Sequence, residues 1–112
     1  MEVTPKQIIY YRTLDGQVPY RSWYVEITDD RLRLAVDKRL DRVEMGNYGD
    51  CKPVGEGMLE LRFQAFGARI YFVEIGGMVV LLLCAGSKSS QNKDIEKAKE
   101  YWAEYCSRIE EV

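Results

Sequence analysis

The sequence predicts an α+β fold, with a small, mainly antiparallel sheet, two N-terminal helices and a C-terminal helix. Three observations support this fold. Two segments in the first half of the chain carry apolar residues at helical spacing, and a segment at the end does so again. Between them, three consecutive segments alternate or run apolar in the manner of strands. With one strand ahead of the helices, the predicted element order is β-α-α-β-β-β-α.

The first half of the chain is expected to form one strand and two helices. Residues 7–13 are rich in β-branched and aromatic side chains, which favour a strand. Pro19 can begin a short helix, and Asp29 and Asp30 can end it and cap a second helix over residues 31–45. The second helix carries one apolar stripe, formed by Leu32, Val36, Leu40 and Val43.

The second half is expected to form three strands and a final helix. A loop rich in glycine and proline is predicted over residues 46–57, before strands over residues 58–64 and 68–75. Two glycines then signal a hairpin, and residues 78–85 are apolar throughout, as expected of a central strand covered on both faces. Residues 94–109 show the apolar spacing of an amphipathic helix.

The composition excludes several classes of protein. The chain has 112 residues, and we predict one domain spanning residues 1–112. It has no histidine, which excludes His-dependent triads and imidazole metal sites. Its three cysteines include no CxxC pair, which favours buried thiols over a disulfide framework. No apolar run approaches the ~20 residues of a membrane span and no secretory signal is readable, so a cytoplasmic protein is expected.

The charge is distributed unevenly along the chain. Residues 31–93 carry ten Lys or Arg against seven Asp or Glu, a balance of +3, whereas residues 1–30 carry −2 and residues 94–112 carry −3. A basic centre is compatible with an anionic partner. The basic residues of the second helix, Arg39 among them, are nearly balanced by acids and are expected on its solvated faces.

Two arginines are the first candidates for a functional site. Arg62 and Arg69 are expected on adjacent strands, on the face opposite the aliphatic side chains. Like charges across a strand pair are unfavourable unless an anion lies between them, and a phosphate fits the geometry of two guanidinium groups. Alternatively, Glu60 and Glu74 neutralise them as surface salt bridges. The sequence leaves both interpretations open.

Three further residues could contribute to the same face. Lys88 lies among small polar residues ahead of the last helix, where a helix N-terminus favours a phosphate, or where the serines merely cap the helix. Lys52 lies in the glycine- and proline-rich loop and could reach over this face. Tyr71 shares the face of Arg69, where an exposed ring could stack on a nucleic-acid base.

Six stretches carry a family resemblance, in matching order and spacing. They are Pro19-x-x-x-Trp23, RLDRVEMGN (39–47), GDCKPVGEG (49–57), LELRF (59–63), GARIYF (67–72) and VVLLLCAGSKSSQNKDIEKAKEYW (79–102). Together they resemble the RelE/ParE superfamily of bacterial toxins, specifically the HigB-like branch of phage-derived addiction-module killer proteins. The resemblance covers nearly the whole chain.

The resemblance implies a type II toxin that cleaves mRNA on the ribosome without a metal or other cofactor, by attack of the RNA's own 2′-OH. By matching motif, Arg69 would stabilise charge on the phosphate, Lys88 would protonate the leaving oxygen, and Lys52 would assist the 2′-OH or hold the backbone. The residues implied in RNA binding are Arg62, Tyr71, Ser89 and Gln91. The implied partner is a cognate antitoxin, a helix-turn-helix protein encoded nearby.

Two other functions stay open at this point. One is a non-catalytic ParE-like toxin that inhibits DNA gyrase, and the other is an inactive relic that only binds its antitoxin. The cluster formed by Lys52, Arg69 and Lys88 favours the nuclease, because gyrase inhibition requires no phosphate-binding residues. The acidic chain ends and the absence of histidine keep the alternatives open.

Overall fold

A computed structural model describes residues 5–110, so residues 1–4 and 111–112 of the predicted domain lie outside the described range. The predicted α+β class is confirmed. The elements within residues 5–110 are β1 (Gln7–Tyr10), α1 (Pro19–Val25), α2 (Asp30–Glu44), β2 (Cys51–Gly55), β3 (Met58–Phe63), β4 (Ala68–Ile75), β5 (Val79–Ser87) and α3 (Gln91–Glu110), with a 3-10 turn at Lys88–Ser90.

The strands form one mixed sheet in the order β1-β5-β4-β3-β2. Strand β1 runs parallel to β5, and the other three pairs are antiparallel, so the mainly antiparallel sheet is confirmed. Strand β5 lies between β1 and β4, and its residues 80–84 are buried, as predicted for a central strand. None of the helices in the described part of the chain is long and apolar enough to cross a bilayer.

The predicted element order is wrong by one strand. Residues 46–57 were expected to form a loop, but Cys51–Gly55 is an edge strand in which Lys52 pairs with Glu60 of β3. Proline and glycine argue against a central strand, yet an edge tolerates a missing N–H donor, and the register shifts between Pro53 and Gly55. The order is therefore β-α-α-β-β-β-β-α within the described residues.

Helices cover both faces of the sheet. On one face, Val36, Leu40 and Val43 of α2 pack with Ile70 and Phe72 of the sheet. On the other face, Ala98 of α3 packs in a second cluster formed by Tyr11, Met58, Tyr71, Val73, Leu81, Leu83 and Cys84. The strand face that carries the candidate arginines is therefore the face beneath α3.

Local signals account for where the helices begin. The Asp29 side chain accepts a hydrogen bond from the Arg31 backbone N–H at 2.9 Å and caps α2, as predicted. Helix α3 begins three residues earlier than predicted, at Gln91 instead of residue 94. The preceding turn explains this difference, because Ser87 and Ser90 form a reciprocal capping box ahead of the helix.

Candidate functional site

Strands β3 and β4 bring the two candidate arginines together. Arg62 lies directly opposite Arg69 in the antiparallel register, and Glu60 lies opposite Tyr71. Residues on one strand face alternate, so all four side chains belong to the face beneath α3. The predicted hairpin and the predicted shared face are both confirmed.

Arg69 is buried, which corrects the expectation that it lies on an open strand face. Its side chain is 6% exposed and that of Glu60 is 0% exposed, with 3.7 Å between Arg69 Nε and Glu60 Oε1. The first turn of α3 covers this part of the sheet, where Gln91 Nε2 donates to Glu60 Oε2 at 2.8 Å. One interpretation of the sequence predicted a salt bridge between Glu60 and the arginines at the surface. Glu60 does pair with Arg69, but the pair is buried.

The buried pair leaves several polar atoms without partners. Arg69 Nε, Arg69 Nη1 and Glu60 Oε1 are fully buried and make no hydrogen bond within residues 5–110. The remaining guanidinium nitrogen, Arg69 Nη2, is neither among those buried atoms nor hydrogen-bonded in that range. Nη2 is therefore the least enclosed nitrogen of the guanidinium, although the side chain as a whole is only 6% exposed.

Tyr71 cannot stack on a base as the sequence predicted. Its side chain is fully buried and packs with Tyr11, Leu83 and Ala98 beneath α3. Burial above all, and then the nearby Glu60 carboxylate, raises the pKa of the Tyr71 hydroxyl, which keeps it protonated. Its oxygen makes no hydrogen bond within the described residues.

Arg62 is half-buried and paired with an acid that the sequence did not suggest. Its Nε lies 3.2 Å from Asp50 Oδ1, in the segment before β2. The other Asp50 oxygen accepts from Gln64 Nε2 at 3.2 Å. Glu74, the second acid considered for the arginines, instead pairs with Lys6 at 3.0 Å.

Lys52 and Lys88 are exposed and form no ion pair within the described part of the chain. Lys52 lies opposite Glu60 across β2 and β3. Lys88 follows the end of β5, and its backbone N–H donates to the Gly67 carbonyl in the β3–β4 turn at 2.6 Å. This bond fixes Lys88 beside the strand ends that carry Arg62 and Arg69.

Ser89 and Gln91 differ in their position relative to solvent. Ser89 is exposed, and its hydroxyl lies 2.8 Å from the Ser87 hydroxyl. Gln91 is half-buried and directs its amide to Glu60, so it holds the first turn of α3 against β3. We name Glu60, Arg69 and Tyr71 the buried trio, and Lys52, Arg62 and Lys88 the cationic rim.

Two contributors to the site were missed in the sequence. Arg39 was expected on a solvated helix face, but its Nη2 donates to the Arg62 carbonyl at 3.1 Å and its guanidinium lies 4.6 Å from the Phe63 ring centre. Gly86 lies opposite Arg69, and a Cβ there would lie 1.8 Å from Asp94 Oδ2. A glycine inside an apolar strand is a signal for such a close approach.

The arrangement suits an oxyanion ligand. Lys52 and Lys88 form no ion pair within residues 5–110 and lie on the strands and turn next to Arg62 and Arg69, while Arg69 itself is buried and pairs with Glu60. Within residues 5–110, no group of three or more cysteine, aspartate or glutamate side chains is placed to hold a metal ion.

Comparison of the sequence with known proteins identifies an uncharacterised relative that covers most of the chain. No family model matches the sequence. An uncharacterised protein of Haemophilus influenzae is 40% identical over 81 residues, which cover 71% of this chain and 82% of that protein. On this extent of identity, the chain belongs to the same protein family as the Haemophilus influenzae protein.

Proposed function

We propose that the protein is the toxin of a type II toxin–antitoxin pair, of the RelE/ParE superfamily, and that it cleaves mRNA. The observation that carries this proposal is the cationic rim beside one buried guanidinium that pairs with Glu60. Lys52 and Lys88 are exposed and have no ion pair within the described residues; Lys52 lies across from Glu60, and Lys88 is bonded through its backbone to the β3–β4 turn. Such a patch favours the phosphodiester backbone of RNA.

The side chains suggest a division of roles. Lys52 and Arg62 hold the RNA backbone, and Ser89 adds an exposed hydroxyl beside them. The 2′-OH gives up its proton to a solvent water as its oxygen forms a bond to the adjacent phosphorus, the bond to the 5′-oxygen breaks, and Lys88 donates a proton to that leaving oxygen. Arg69 stabilises the charge on the phosphoryl oxygens through Nη2, because donors fixed in advance need no reorganisation in the transition state.

The buried trio assigns supporting roles to two residues. Glu60 orients Arg69 through the ion pair and anchors α3 through Gln91. Tyr71 packs beneath α3 beside Glu60 and Arg69 and does not contact RNA. Both are positioning residues in this proposal, since neither reaches the surface.

One observation favours a second candidate, a non-catalytic toxin that binds DNA gyrase or a relic that only binds an antitoxin. Arg69 is paired with Glu60 and exposes little of its guanidinium, so the patch offers less free charge than the sequence suggested. In either case the proposed partner is an antitoxin, a helix-turn-helix protein encoded nearby. The nuclease additionally acts on mRNA at the ribosome, in the cytoplasm.

One induction experiment separates these functions. The gene is induced without its neighbours, the 5′ ends of cellular mRNA are mapped, and plasmid supercoiling is assayed in the same cultures. The nuclease predicts growth arrest with new mRNA ends and unchanged supercoiling. Lys88→Ala should abolish both effects, whereas the control Lys97→Ala, an exposed lysine on α3, should retain them. Relaxed plasmid without new mRNA ends would instead identify a gyrase inhibitor.

A further inference from the structure

The sheet face opposite the cationic rim contains an open cleft of about 380 Å³ between β1 and helices α1 and α2. Three tyrosines and three acids dominate its walls, with Arg21 as the single basic residue. The residues that matter here are Tyr10, Tyr20, Tyr24, Asp37, Asp41 and Glu44. None of them takes part in the proposed RNA site.

The tyrosines form a continuous aromatic surface. The rings of Tyr10 and Tyr20 are stacked with centres 5.5 Å apart, and those of Tyr20 and Tyr24 lie 6.0 Å apart. Tyr10 is 43% exposed although it is a large aromatic residue. An aromatic face open to solvent attracts cations through its quadrupole.

The acids lie on one side of α2. Their spacing of four and three residues places Asp37, Asp41 and Glu44 along a single helix face. Asp37 accepts from the Tyr24 hydroxyl at 2.8 and 3.0 Å. The side chains of Asp41 and Glu44 form no hydrogen bond or ion pair within residues 5–110.

Tyr20 contributes a polar group to the wall of the cleft. The residue is 6% exposed and lines the cleft, and its hydroxyl forms no hydrogen bond with another described residue but is not among the fully buried atoms. Burial above all, and then Tyr10, Tyr24 and Asp37 nearby, raises the pKa of this hydroxyl. The neutral phenol can therefore donate a hydrogen bond to a bound group or accept one from it.

We propose that this cleft receives an arginine side chain from a partner protein. A guanidinium stacks on tyrosine rings and donates paired hydrogen bonds to carboxylates, which matches both walls. The source is a polypeptide because Tyr10 belongs to β1, an edge strand of the sheet. An extended basic segment can add to that edge and place one side chain in the cleft.

The test uses a defined probe and needs no RNA. The blocked tripeptide acetyl-Gly-Arg-Gly-amide is titrated into the ¹⁵N-labelled protein, beside the same peptide with uncharged citrulline in place of arginine. Saturable shifts are expected at residues 10, 20, 24 and 37–44 with the arginine peptide alone. Asp41→Asn with Glu44→Gln should weaken binding about tenfold, the scale of losing one charge-assisted hydrogen bond.

A matched control separates the effect of losing two negative charges from the effect of losing the acids of the cleft. Glu96→Gln with Glu100→Gln removes two exposed acids from α3 and should bind the arginine peptide normally. Equal binding of the citrulline peptide, absence of saturable shifts, or equal weakening by this control would overturn the inference. Tighter binding by spermidine, with displacement of the peptide, would overturn it in favour of a small polyamine ligand. Because no step requires cleavage, a failed nuclease assay would not affect this result.

Discussion

Glu60 and Arg69 are charged side chains with almost no access to water. Burying a pair of ions carries a desolvation cost that their attraction offsets only when the remaining polar atoms are satisfied. Here Gln91 satisfies one Glu60 oxygen, while the other oxygen and two Arg69 nitrogens have no partner within the described residues. Such an arrangement contributes little net stability, and in the proposed site its role is to orient Arg69.

Removing one member of the pair should be more damaging than removing both. Arg69→Met leaves Glu60 buried without its partner and should lower the free energy of unfolding by about 3–5 kcal/mol. Glu60→Leu combined with Arg69→Met removes both charges and should recover much of that loss. Urea denaturation of the single and double variants measures the coupling.

The control for this comparison is Lys52→Met on the neighbouring edge strand. Lys52 is exposed, so its replacement should change the free energy of unfolding by no more than about 0.5 kcal/mol. Strictly additive effects of the two pair substitutions would show that Glu60 and Arg69 do not interact.

At the residue scale, the sequence predicts which strand face a side chain lies on, but not whether a helix covers that face. Alternation places Arg62, Arg69 and Tyr71 on one side of β3 and β4, as found. It cannot say that the first turn of α3 lies across that side, because this depends on how the last helix packs. Tyr71 and Arg69 were therefore expected in solvent, and both are buried. Lys52 and Lys88 lie beyond the helix and are exposed, as expected.

At the scale of elements, α3 and β5 approach each other at one glycine. Gly86 has no unusual backbone angle, so a substitution there is opposed by side chains: the Asp94 carboxylate, 1.8 Å from the added Cβ, and then the Ser90 hydroxyl, 2.9 Å from it. Gly86→Ala should lower the free energy of unfolding by about 1–3 kcal/mol, as overpacking does.

A second substitution checks the cause of that loss. Asp94→Ala removes the nearer obstruction and leaves only the Ser90 hydroxyl at 2.9 Å, so Gly86→Ala should cost less in an Asp94→Ala background than in the wild-type protein. Thermal or urea denaturation of the four proteins gives this comparison. An equal cost in both backgrounds would mean that the clash with Asp94 is not responsible.

Glu74 connects three segments and gives a pH-dependent prediction. Its carboxylate pairs with Lys6 at 3.0 Å and accepts from the Tyr48 hydroxyl at 2.9 Å. The Lys6 ammonium first, and then Tyr48, lowers the pKa of Glu74 below its ordinary value of 4.5. A lowered pKa stabilises the fold above the unfolded-state pKa, and this stabilisation disappears as pH falls through the folded-state pKa.

The matching variant is Glu74→Gln. At pH 7 it should unfold more easily by about 0.5–1 kcal/mol, because the pair is partly exposed and screened. Below the folded-state pKa of Glu74 the difference from wild type should vanish. Urea denaturation at both pH values tests this, and a difference that persists in acid would contradict it.

Element boundaries show where local signals end. Asp29 and Pro19 identify the starts of α2 and α1 because capping and proline geometry are local. Strand β2 was not predicted because Pro53 and Gly55 are typical of loops. A strand can contain them here because β2 lies at the edge of the sheet. Pairing with a partner strand is a property of the fold, which local composition does not contain.

At the scale of the whole molecule, the two sheet faces carry opposite chemistry. The cationic rim lies on the face beneath α3, whereas the aromatic cleft with three acids lies on the face beneath α1 and α2. The net charge of −2 hides this separation, although the uneven charge along the sequence indicates part of it. Two faces of opposite character can serve two different partners.

The most direct measurement is cleavage of one defined mRNA on purified ribosomes by the purified protein. We predict cleavage that leaves a 5′-hydroxyl on the downstream fragment and a cyclic phosphate on the other. Replacing the 2′-OH at the cleaved position with hydrogen should abolish it, and Lys88→Ala should slow it by about 10²-fold, the scale of losing one oriented donor. An mRNA that stays intact, or that is cut equally without its 2′-OH, would contradict the proposed nuclease.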